Sequence, residues 1–200
     1  MERTIGVILS GGQSRRMGRD KAGLSLAGQS FLDRMTKELS PLFDGIYVSV
    51  DRPGRYPGCR ELPDLRPGQG PLAGLEAAFL RTEAEAVFLA AVDLPFACSG
   101  LAERVLAGVG NGDACVIRRR GGEAEPLFAL YRRSCLEPLT ACLDEGRRAV
   151  KALLDRVDCR WLEEEELPEF DLERALWNVN TGAEFRRAVE SEKEKTILAP

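Results

Sequence analysis

The stretch Ile5-Gly6-Val7-Ile8-Leu9-Ser10-Gly11-Gly12 passes from an apolar run into a glycine pair, and Gln13-Ser14-Arg15-Arg16-Met17-Gly18-Arg19-Asp20-Lys21 follows it. The apolar run predicts a buried strand. Gly11 and Gly12 have no Cβ, so their backbone can adopt positive φ and approach a ligand closely. Successive N–H groups in such a loop form a concave anion site, and the nearby arginines and lysine add positive charge. The stretch therefore predicts a strand followed by a polyphosphate-binding loop.

Two familiar phosphate loops are excluded by spacing. A dinucleotide-binding fingerprint needs G-x-G-x-x-G, whereas Gly11 and Gly12 are adjacent. A P-loop needs G-x-x-x-x-G-K-[ST], whereas Gly12 to Gly18 is one residue too long and Arg19 follows Gly18. The alternative interpretation is an ordinary connection from a strand to a helix, with arginines that only contact solvent.

Composition limits the class of protein. The chain has 200 residues, so we expect one domain over residues 1–190 and a flexible tail over 191–200. Its net charge of −4 argues against general binding of nucleic acid or membrane surfaces. No apolar run approaches the roughly 20 residues of a membrane span. The first residues lead directly into a strand, without the apolar segment of a signal peptide. We therefore expect a cytoplasmic protein, and a monomer.

The chain contains no histidine, and none of its six cysteines forms a C-x-x-C pair. This composition excludes Ser-His-Asp and Cys-His catalysis and makes a zinc site a poor interpretation. An enzyme built from this chain would have to use carboxylates, lysine, arginine, backbone dipoles and a hard cation. Phosphoryl or nucleotidyl transfer fits those groups, because its catalysis consists mainly of positioning and charge neutralisation.

The first half of the chain predicts an α/β fold. Ser30 is a candidate N-cap for a helix over 31–39, and Ile46–Val50 predicts the next strand, which makes a βαβ unit and hence a parallel sheet. Ala86–Val92 is the most hydrophobic run and predicts the central strand. Asp93 follows it, at the edge where α/β proteins bind ligands, and one carboxylate with substrate phosphates is the usual way to hold Mg²⁺. The alternative is that Asp93 only turns the chain or caps a helix.

The remaining elements are predicted from periodicity and turn residues. Gly54–Gly74 is expected to be irregular, and Pro126 is expected at the first residue of a strand or in an edge strand. The other predicted helices cover 75–81, 101–109, 135–143 and 147–155, and the other predicted strands cover 114–117 and 125–131.

Three polar stretches remain open to two interpretations. Arg118–Arg120 is either a solvated hairpin tip or a surface that binds the acceptor substrate of a group transfer. Glu163–Glu166 is most simply a solvated surface segment. Arg147 and Arg148 would lie in the first turn of a helix, where the helix dipole disfavours cations, which hints at an anionic partner. Asn178 and Asn180 should face one side of an extended segment and suit a pterin-like ring, unless they serve only a turn before a helix capped by Thr181.

Five ordered motifs resemble one enzyme family. The loop residues Leu9-Ser10-Gly11-Gly12, Arg16-Met17-Gly18 and Asp20-Lys21 are similar to the signature of nucleotide-sugar-pyrophosphorylase-like nucleotidyltransferases, and more narrowly to the molybdenum cofactor guanylyltransferase branch. The other four motifs are Gly70-Pro71-Leu72-Ala73-Gly74, Asp93-Leu94-Pro95, Gly146-Arg147-Arg148 and Asn178-Val179-Asn180-Thr181. The resemblance implies a three-layer α/β/α sandwich, Rossmann-like, with a mostly parallel sheet.

The same resemblance implies a reaction and its site. GMP would pass from GTP, bound with Mg²⁺ or with Mn²⁺ in its place, to the terminal phosphate of molybdopterin or its molybdenum-loaded form, with release of pyrophosphate. The implied catalytic residues are Lys21, Arg16 and Asp93, of which Asp93 holds the metal. The implied nucleotide site comprises Leu9, Ser10, Gly11, Gly12, Lys21, Ser49, Asp64, Gly70, Gly74 and Asp93. The implied acceptor site comprises Arg147, Asn178 and Asn180.

Some features depart from the family pattern or leave alternatives. Ser10 stands where many relatives have Ala, and Ser49 stands where relatives can carry Asn. Other cofactor-biosynthesis proteins are conceivable partners. The alternatives are a CTP-dependent molybdopterin cytidylyltransferase, an enzyme that acts on a sugar or alditol phosphate, and a non-catalytic nucleotide-binding protein that delivers the cofactor.

Overall fold

A computed structural model describes residues 2–10 and 21–198, including the side chains of residues 2–10 and 21–193. Its strands are β1 (Thr4–Leu9), β2 (Ser25–Leu26), β3 (Gln29–Ser30), β4 (Ile46–Val50), β5 (Glu61–Pro63), β6 (Ala86–Ala91), β7 (Ala114–Arg118), β8 (Ala124–Arg132) and β9 (Cys159–Glu163). Its α-helices are α1 (Phe31–Leu39), α2 (Pro71–Arg81), α3 (Ser99–Gly108), α4 (Leu136–Asp144), α5 (Val150–Leu154), α6 (Leu172–Ala175) and α7 (Gly182–Leu198).

Seven strands form the main sheet, in the order β5-β4-β1-β6-β8-β7-β9. Within the described chain, β8 alone runs antiparallel to its neighbours, and the other six strands of this sheet share one direction. The predicted mostly parallel sheet is therefore confirmed. The chain passes from β1 outward to β4 and β5 and then returns to the other side of β1 as β6. Such a reversal opens a crevice at the carboxyl ends of β1 and β6, where α/β proteins bind ligands.

Helices cover both faces of the sheet, which makes the predicted three-layer sandwich. Alternate residues of β6 point to opposite faces, so Phe88 packs with α1 and α3, whereas Leu89 packs with α2 and α4. All six residues of β6 are buried, as expected for a central strand that is covered on both sides. The rigid sheet fixes the positions of the residues that follow its strands.

Local signals place several elements correctly. The Ser30 hydroxyl accepts a hydrogen bond from the backbone N–H of Asp33 at 3.0 Å, so Ser30 is the N-cap of α1 as predicted. Gly146 adopts φ +73° after α4, and the backbone N–H of Arg147 donates to the carbonyl of Cys142 at 2.8 Å. This is the hydrogen bond of a Schellman motif, so the predicted C-cap role of Gly146 is also confirmed.

Several boundaries differ from the sequence prediction. The Gly54–Gly74 stretch contains the short parallel strand β5, and β9 was not predicted at all. Helix α2 begins at Pro71 rather than at residue 75, because Gly70 supplies the N-cap and Pro71 supplies a first residue that needs no N–H donor. Helix α5 begins at Val150, so the prediction of Arg147 and Arg148 in the first turn of a helix is wrong.

Pro126 lies in an interior strand, so the prediction of an edge strand or a first residue is wrong. Strand β8 starts at Ala124 and lies between β6 and β7. Its pairing with β6 ends at Phe128, and its register with β7 shifts between Val116 and Arg118. The missing N–H of Pro126 therefore falls at an irregularity of the ladder, which is the other place where strands accept proline.

Helix α7 continues to Leu198, through the segment for which the sequence predicts a flexible tail. Ser191 and Glu192 make side-chain hydrogen bonds to arginines of α1 and α6. Within residues 2–10 and 21–198, no helix is both long and apolar enough to cross a bilayer.

Candidate active site

Polar residues meet at the carboxyl edge of the parallel strands. Ser10 follows β1, Ser49 lies near the end of β4, Asp64 follows β5 and Asp93 comes two residues after β6. Because β5, β4, β1 and β6 are neighbours in that order, these groups span about three strand spacings, or roughly 14 Å. Four of the predicted site residues are thus brought to one edge of the sheet.

Lys21 lies between two oxygen atoms in the crevice between β1 and β6. Its Nζ is 2.8 Å from Oδ2 of Asp93 and 2.5 Å from Oδ1 of Asn180. The side chains of Lys21 and Asp93 are only 15% and 17% exposed, so water screens this charge pair less than it would at an open surface. Three predicted site residues that are distant in sequence therefore form one cluster.

Asp93 has a second carboxylate oxygen with no protein partner. Oδ1 of Asp93 is buried, and no donor of the described residues reaches it. A buried, unsatisfied carboxylate oxygen is costly to keep, unless a cation or a donor from a ligand occupies the site. Oxygen ligands at the mouth of a crevice are the donors that Mg²⁺ prefers, so Asp93 and Asn180 fit a hard divalent cation.

A chain of hydrogen bonds links the next three strands. The Ser10 hydroxyl donates to the carbonyl of Ser49 at 2.7 Å, and the Ser49 hydroxyl donates to Oδ1 of Asp64 at 2.9 Å. Burial raises the pKa of the Asp64 carboxyl above its ordinary value, and the nearby charge of Asp51 raises it further, against the opposing effect of the Ser49 hydrogen bond. A half-buried carboxyl group therefore ends the chain of hydrogen bonds that begins at Ser10.

The absence of a Cβ at Gly74 allows α2 to pack closely on the sheet, against Ser49 and Leu9. A Cβ at Gly74 would lie 2.7 Å from Oγ of Ser49 and 2.9 Å from Cδ2 of Leu9. The carbonyl of Leu9 accepts a hydrogen bond from the N–H of Val92 at 3.1 Å, which ties the ends of β1 and β6 together. In the structure these two predicted nucleotide-binding residues hold the edge of the crevice together. Gly70, with φ +77°, starts α2 nearby.

Glu184 positions Asn180 and was missed by the sequence analysis. Its Oε2 accepts hydrogen bonds from the backbone N–H groups of Asn180 and Thr181 at 2.7 and 2.8 Å, and the Thr181 hydroxyl accepts from the N–H of Glu184 at 3.1 Å. The backbone hydrogen bond from Asn180 is the largest of the effects that lower the pKa of Glu184. Thr181 followed by Glu184 three residues later is the signal of a capping box, so this role was detectable.

The other predicted acceptor residues lie farther out. Asn178 is exposed, whereas Val179 between the two asparagines is fully buried, so the predicted alternation is present. Arg147 is exposed in the turn before α5. The carbonyl of Arg148 lies 3.8 Å from a Cβ built on Gly70, so this turn passes beside the N-terminus of α2. Gly11, Gly12 and Arg16 lie outside the described residues.

The basic turn and the acidic run of the sequence pair with each other. Arg118 forms two hydrogen bonds to Glu163, of which the bond from Nε is 3.1 Å long, and Nε of Arg120 is 3.0 Å from Oε1 of Glu165. Arg119 pairs with Glu125 at 3.3 Å. These charges largely neutralise one another at the tip of the β7–β8 hairpin, so the acidic run for which the sequence predicts only solvation is paired with the basic turn.

Comparison with known proteins identifies the class of enzyme to which this chain belongs. A family model described as the MobA-like NTP transferase domain matches residues 6–160. Together with the mostly parallel sheet and the Lys21–Asp93 pair at its reversal point, this match defines an enzyme of the nucleotidyltransferase class.

Similar proteins agree in fold and family. The chain is 34% identical to a probable molybdenum cofactor guanylyltransferase from Pelotomaculum thermopropionicum, over 98% of this chain and 97% of that protein. It is 36% identical to a molybdenum cofactor guanylyltransferase from Rhizobium meliloti, over 91% and 88% of the two chains. The crystal structure of molybdopterin-guanine dinucleotide biosynthesis protein A from Archaeoglobus fulgidus is 25% identical, with a TM-score of 0.82 over 95% and 99%. The chain belongs to the MobA-like NTP transferase family.

A more distant structure shows how widely the fold is shared. The 2-C-methyl-D-erythritol 4-phosphate cytidylyltransferase from Thermus thermophilus superposes with a TM-score of 0.68 over 96% of this chain and 100% of that chain. At 17% identity the likeness concerns the fold alone. The residues of the site, rather than the fold, must therefore decide which substrates the chain uses.

Proposed function

We propose that this protein transfers GMP from GTP bound with Mg²⁺ to the terminal phosphate of molybdopterin, and forms the guanine dinucleotide cofactor. Its relatives at 34% and 36% identity are named molybdenum cofactor guanylyltransferases, and they align over nearly the whole chain. The observation that carries the proposal is the cluster of Lys21, Asp93 and Asn180, in which one buried Asp93 oxygen has no donor among the described residues.

The chemistry follows from charge. An oxygen of the acceptor phosphate attacks the α-phosphorus of GTP, the bond from that phosphorus to the bridging oxygen breaks, and pyrophosphate leaves with the electron pair. The acceptor phosphate is already ionised near neutral pH, so the reaction needs no general base, and the absence of histidine costs nothing. Mg²⁺, when bound, neutralises the charge of the triphosphate.

Each residue has a role in this proposal. Oδ1 of Asp93, which has no donor among the described residues, and Oδ1 of Asn180 would hold the divalent cation. Lys21 would leave Asp93 and neutralise the negative charge that builds on the α-phosphate and the leaving pyrophosphate. Arg16 would assist it. Backbone N–H groups from Ser10 to Gly12 would hold phosphate.

The remaining residues form the nucleoside and acceptor sides of the site. Ser49, Asp64 and Gly70 border the nucleoside, with Leu9 and Gly74 behind them. Asn178 and Arg147 face the acceptor. The cytoplasm, where the sequence suggests that the protein resides, would be the place of the reaction, and Mn²⁺ could replace Mg²⁺.

Calorimetric titration with GTP, CTP, ATP and UTP, with and without Mg²⁺, tests this proposal. We expect GTP to bind most tightly, and we expect Mg²⁺ to strengthen its binding to the wild type but not to Asp93→Asn. Tight binding of CTP without binding of GTP would indicate a cytidylyltransferase instead. Release of radiolabelled pyrophosphate from GTP on addition of molybdopterin separates an enzyme from a protein that only delivers the cofactor.

A further inference from the structure

The loop that carries Asp93 is held by two arginines from other parts of the chain. Arg34 of α1 donates from Nε to the carbonyl of Pro95 at 3.3 Å. The guanidinium carbon of Arg174, in α6, lies 4.4 Å from the centre of the Phe96 ring. Pro95 and Phe96 follow Asp93 by two and three residues, so both arginines fix the backbone that positions the carboxylate.

Glu192 of α7 joins these two arginines. Its Oε1 accepts from Arg34 at 2.9 Å, and its Oε2 lies 3.3 Å from the guanidinium of Arg174. The side chains of Glu192 and Arg34 are only 18% and 19% exposed. One carboxylate therefore lies between two guanidinium groups at a site with little solvent exposure. Hydrogen bonds between charged groups are stronger there than at an open surface.

Removal of this negative charge would change both arginines at once. Without the carboxylate, two guanidinium groups would remain close together at low exposure, and their repulsion would favour separation. Arg34 would then leave the carbonyl of Pro95, or Arg174 would leave the ring of Phe96. Either movement loosens the segment that follows Asp93.

We propose that Glu192 is a positioning residue of the active site, and that the C-terminal part of α7 acts as a clasp on the loop from Asp93 to Phe96. The inference rests on the proposed function, because it assumes that Asp93 holds the divalent cation. It assigns a role in metal affinity to a segment that the sequence suggests is a flexible tail.

The test compares Glu192→Gln with the wild type. Binding of Mn²⁺ in the presence of GTP is measured by electron paramagnetic resonance, and amide hydrogen exchange is measured over residues 92–97. We expect Mn²⁺ affinity to fall on the order of tenfold, as when an outer-shell partner of a metal ligand is lost, and we expect exchange over 92–97 to accelerate. Glu192→Asp, which keeps the charge, should recover part of the affinity.

Glu190→Gln is the matched control, since Glu190 is an exposed residue of the same helix; it should bind Mn²⁺ like the wild type. Unchanged Mn²⁺ affinity in Glu192→Gln would overturn the inference, as would faster exchange spread equally over β1 and β6, which would mark general destabilisation. Asp93→Asn is measured in parallel. If that variant also binds Mn²⁺ normally, the proposed metal site fails; if it does not, a normal Glu192→Gln refutes only the clasp.

Discussion

Two groups of charged and polar residues lie at the same edge of the sheet and differ in how their charges are matched. The active-site group, Lys21, Asp93 and Asn180, lies beyond β1 and β6. The hairpin group, Arg118–Arg120 with Glu163–Glu165, lies beyond β7 and β9, which run in the same direction. The Asp93 and Lys21 side chains are 17% and 15% exposed, whereas that of Arg120 is 71% exposed.

The difference separates the proposed active site from a structural group of ion pairs. In the hairpin group all three arginines have carboxylate partners within the protein, and water screens the more exposed pairs of Arg118 and Arg120. In the active-site group a buried carboxylate oxygen has no donor among the described residues. The number of charges alone therefore does not identify a site. What distinguishes the proposed active site is a buried carboxylate oxygen that lacks a donor among the described residues.

The largest expected effect is on the active-site pair. Lys21→Ala and Asp93→Ala should each lower the rate of pyrophosphate release by about two orders of magnitude or more, the scale of losing one preorganised charge partner in a transition state. Single-turnover kinetics with saturating GTP measures it. Arg120→Ala, which also removes a cation from a carboxylate, is the control. Near-normal turnover of either active-site variant would show that the substituted residue is no more important for catalysis than Arg120.

A smaller effect should separate Asn180 from Asn178. Asn180→Ala should lower kcat about tenfold at saturating acceptor, because its oxygen contacts Lys21 and its loss disturbs the metal site. Asn178→Ala should instead raise the KM for molybdopterin and leave kcat nearly unchanged, because its exposed carboxamide faces away from the protein core. Steady-state kinetics on both variants gives the comparison. Identical profiles would show that the two asparagines act as one acceptor-binding pair.

The smallest effect is expected in the hairpin. Arg120→Ala should leave pyrophosphate release within about twofold of the wild type and lower the thermal unfolding midpoint by no more than about 3 °C, since exposed ion pairs contribute little. Calorimetry at low and high salt checks this, and the difference in midpoint should shrink as salt screens the pairs. A large loss of activity would instead revive the hairpin as an acceptor-binding surface.

Sequence reasoning succeeded where the signal is local. The N-cap at Ser30, the C-cap at Gly146 and the alternation around Val179 depend on neighbouring residues and on backbone geometry, so all three were predictable. The carboxylate after the most hydrophobic strand was also predictable, because such strands end at the ligand-binding edge. The capping box of Thr181 and Glu184 is equally local, because the two residues lie three positions apart, and it could have been predicted as well.

Other features failed because they depend on distant partners. Strand β5 has three residues and is defined by its pairing with β4, so periodicity could not reveal it. The position of Pro126 depends on the shift of register against β7. Arg147 and Arg148 looked helical, but the Schellman motif that ends α4 uses the backbone N–H of Arg147, and the next helix begins only at Val150.

The sequence alone determined the class of fold and the residue types available for chemistry, because the hydrophobic period and the absence of histidine are properties of the chain itself. Tertiary structure decided which charges meet. Only folding brings Asn180 to Lys21 across 159 residues, pairs Arg118 with Glu163 and places Glu192 between Arg34 and Arg174. Partial burial then decides their effect, since a charge pair shielded from water interacts strongly and an exposed one does not.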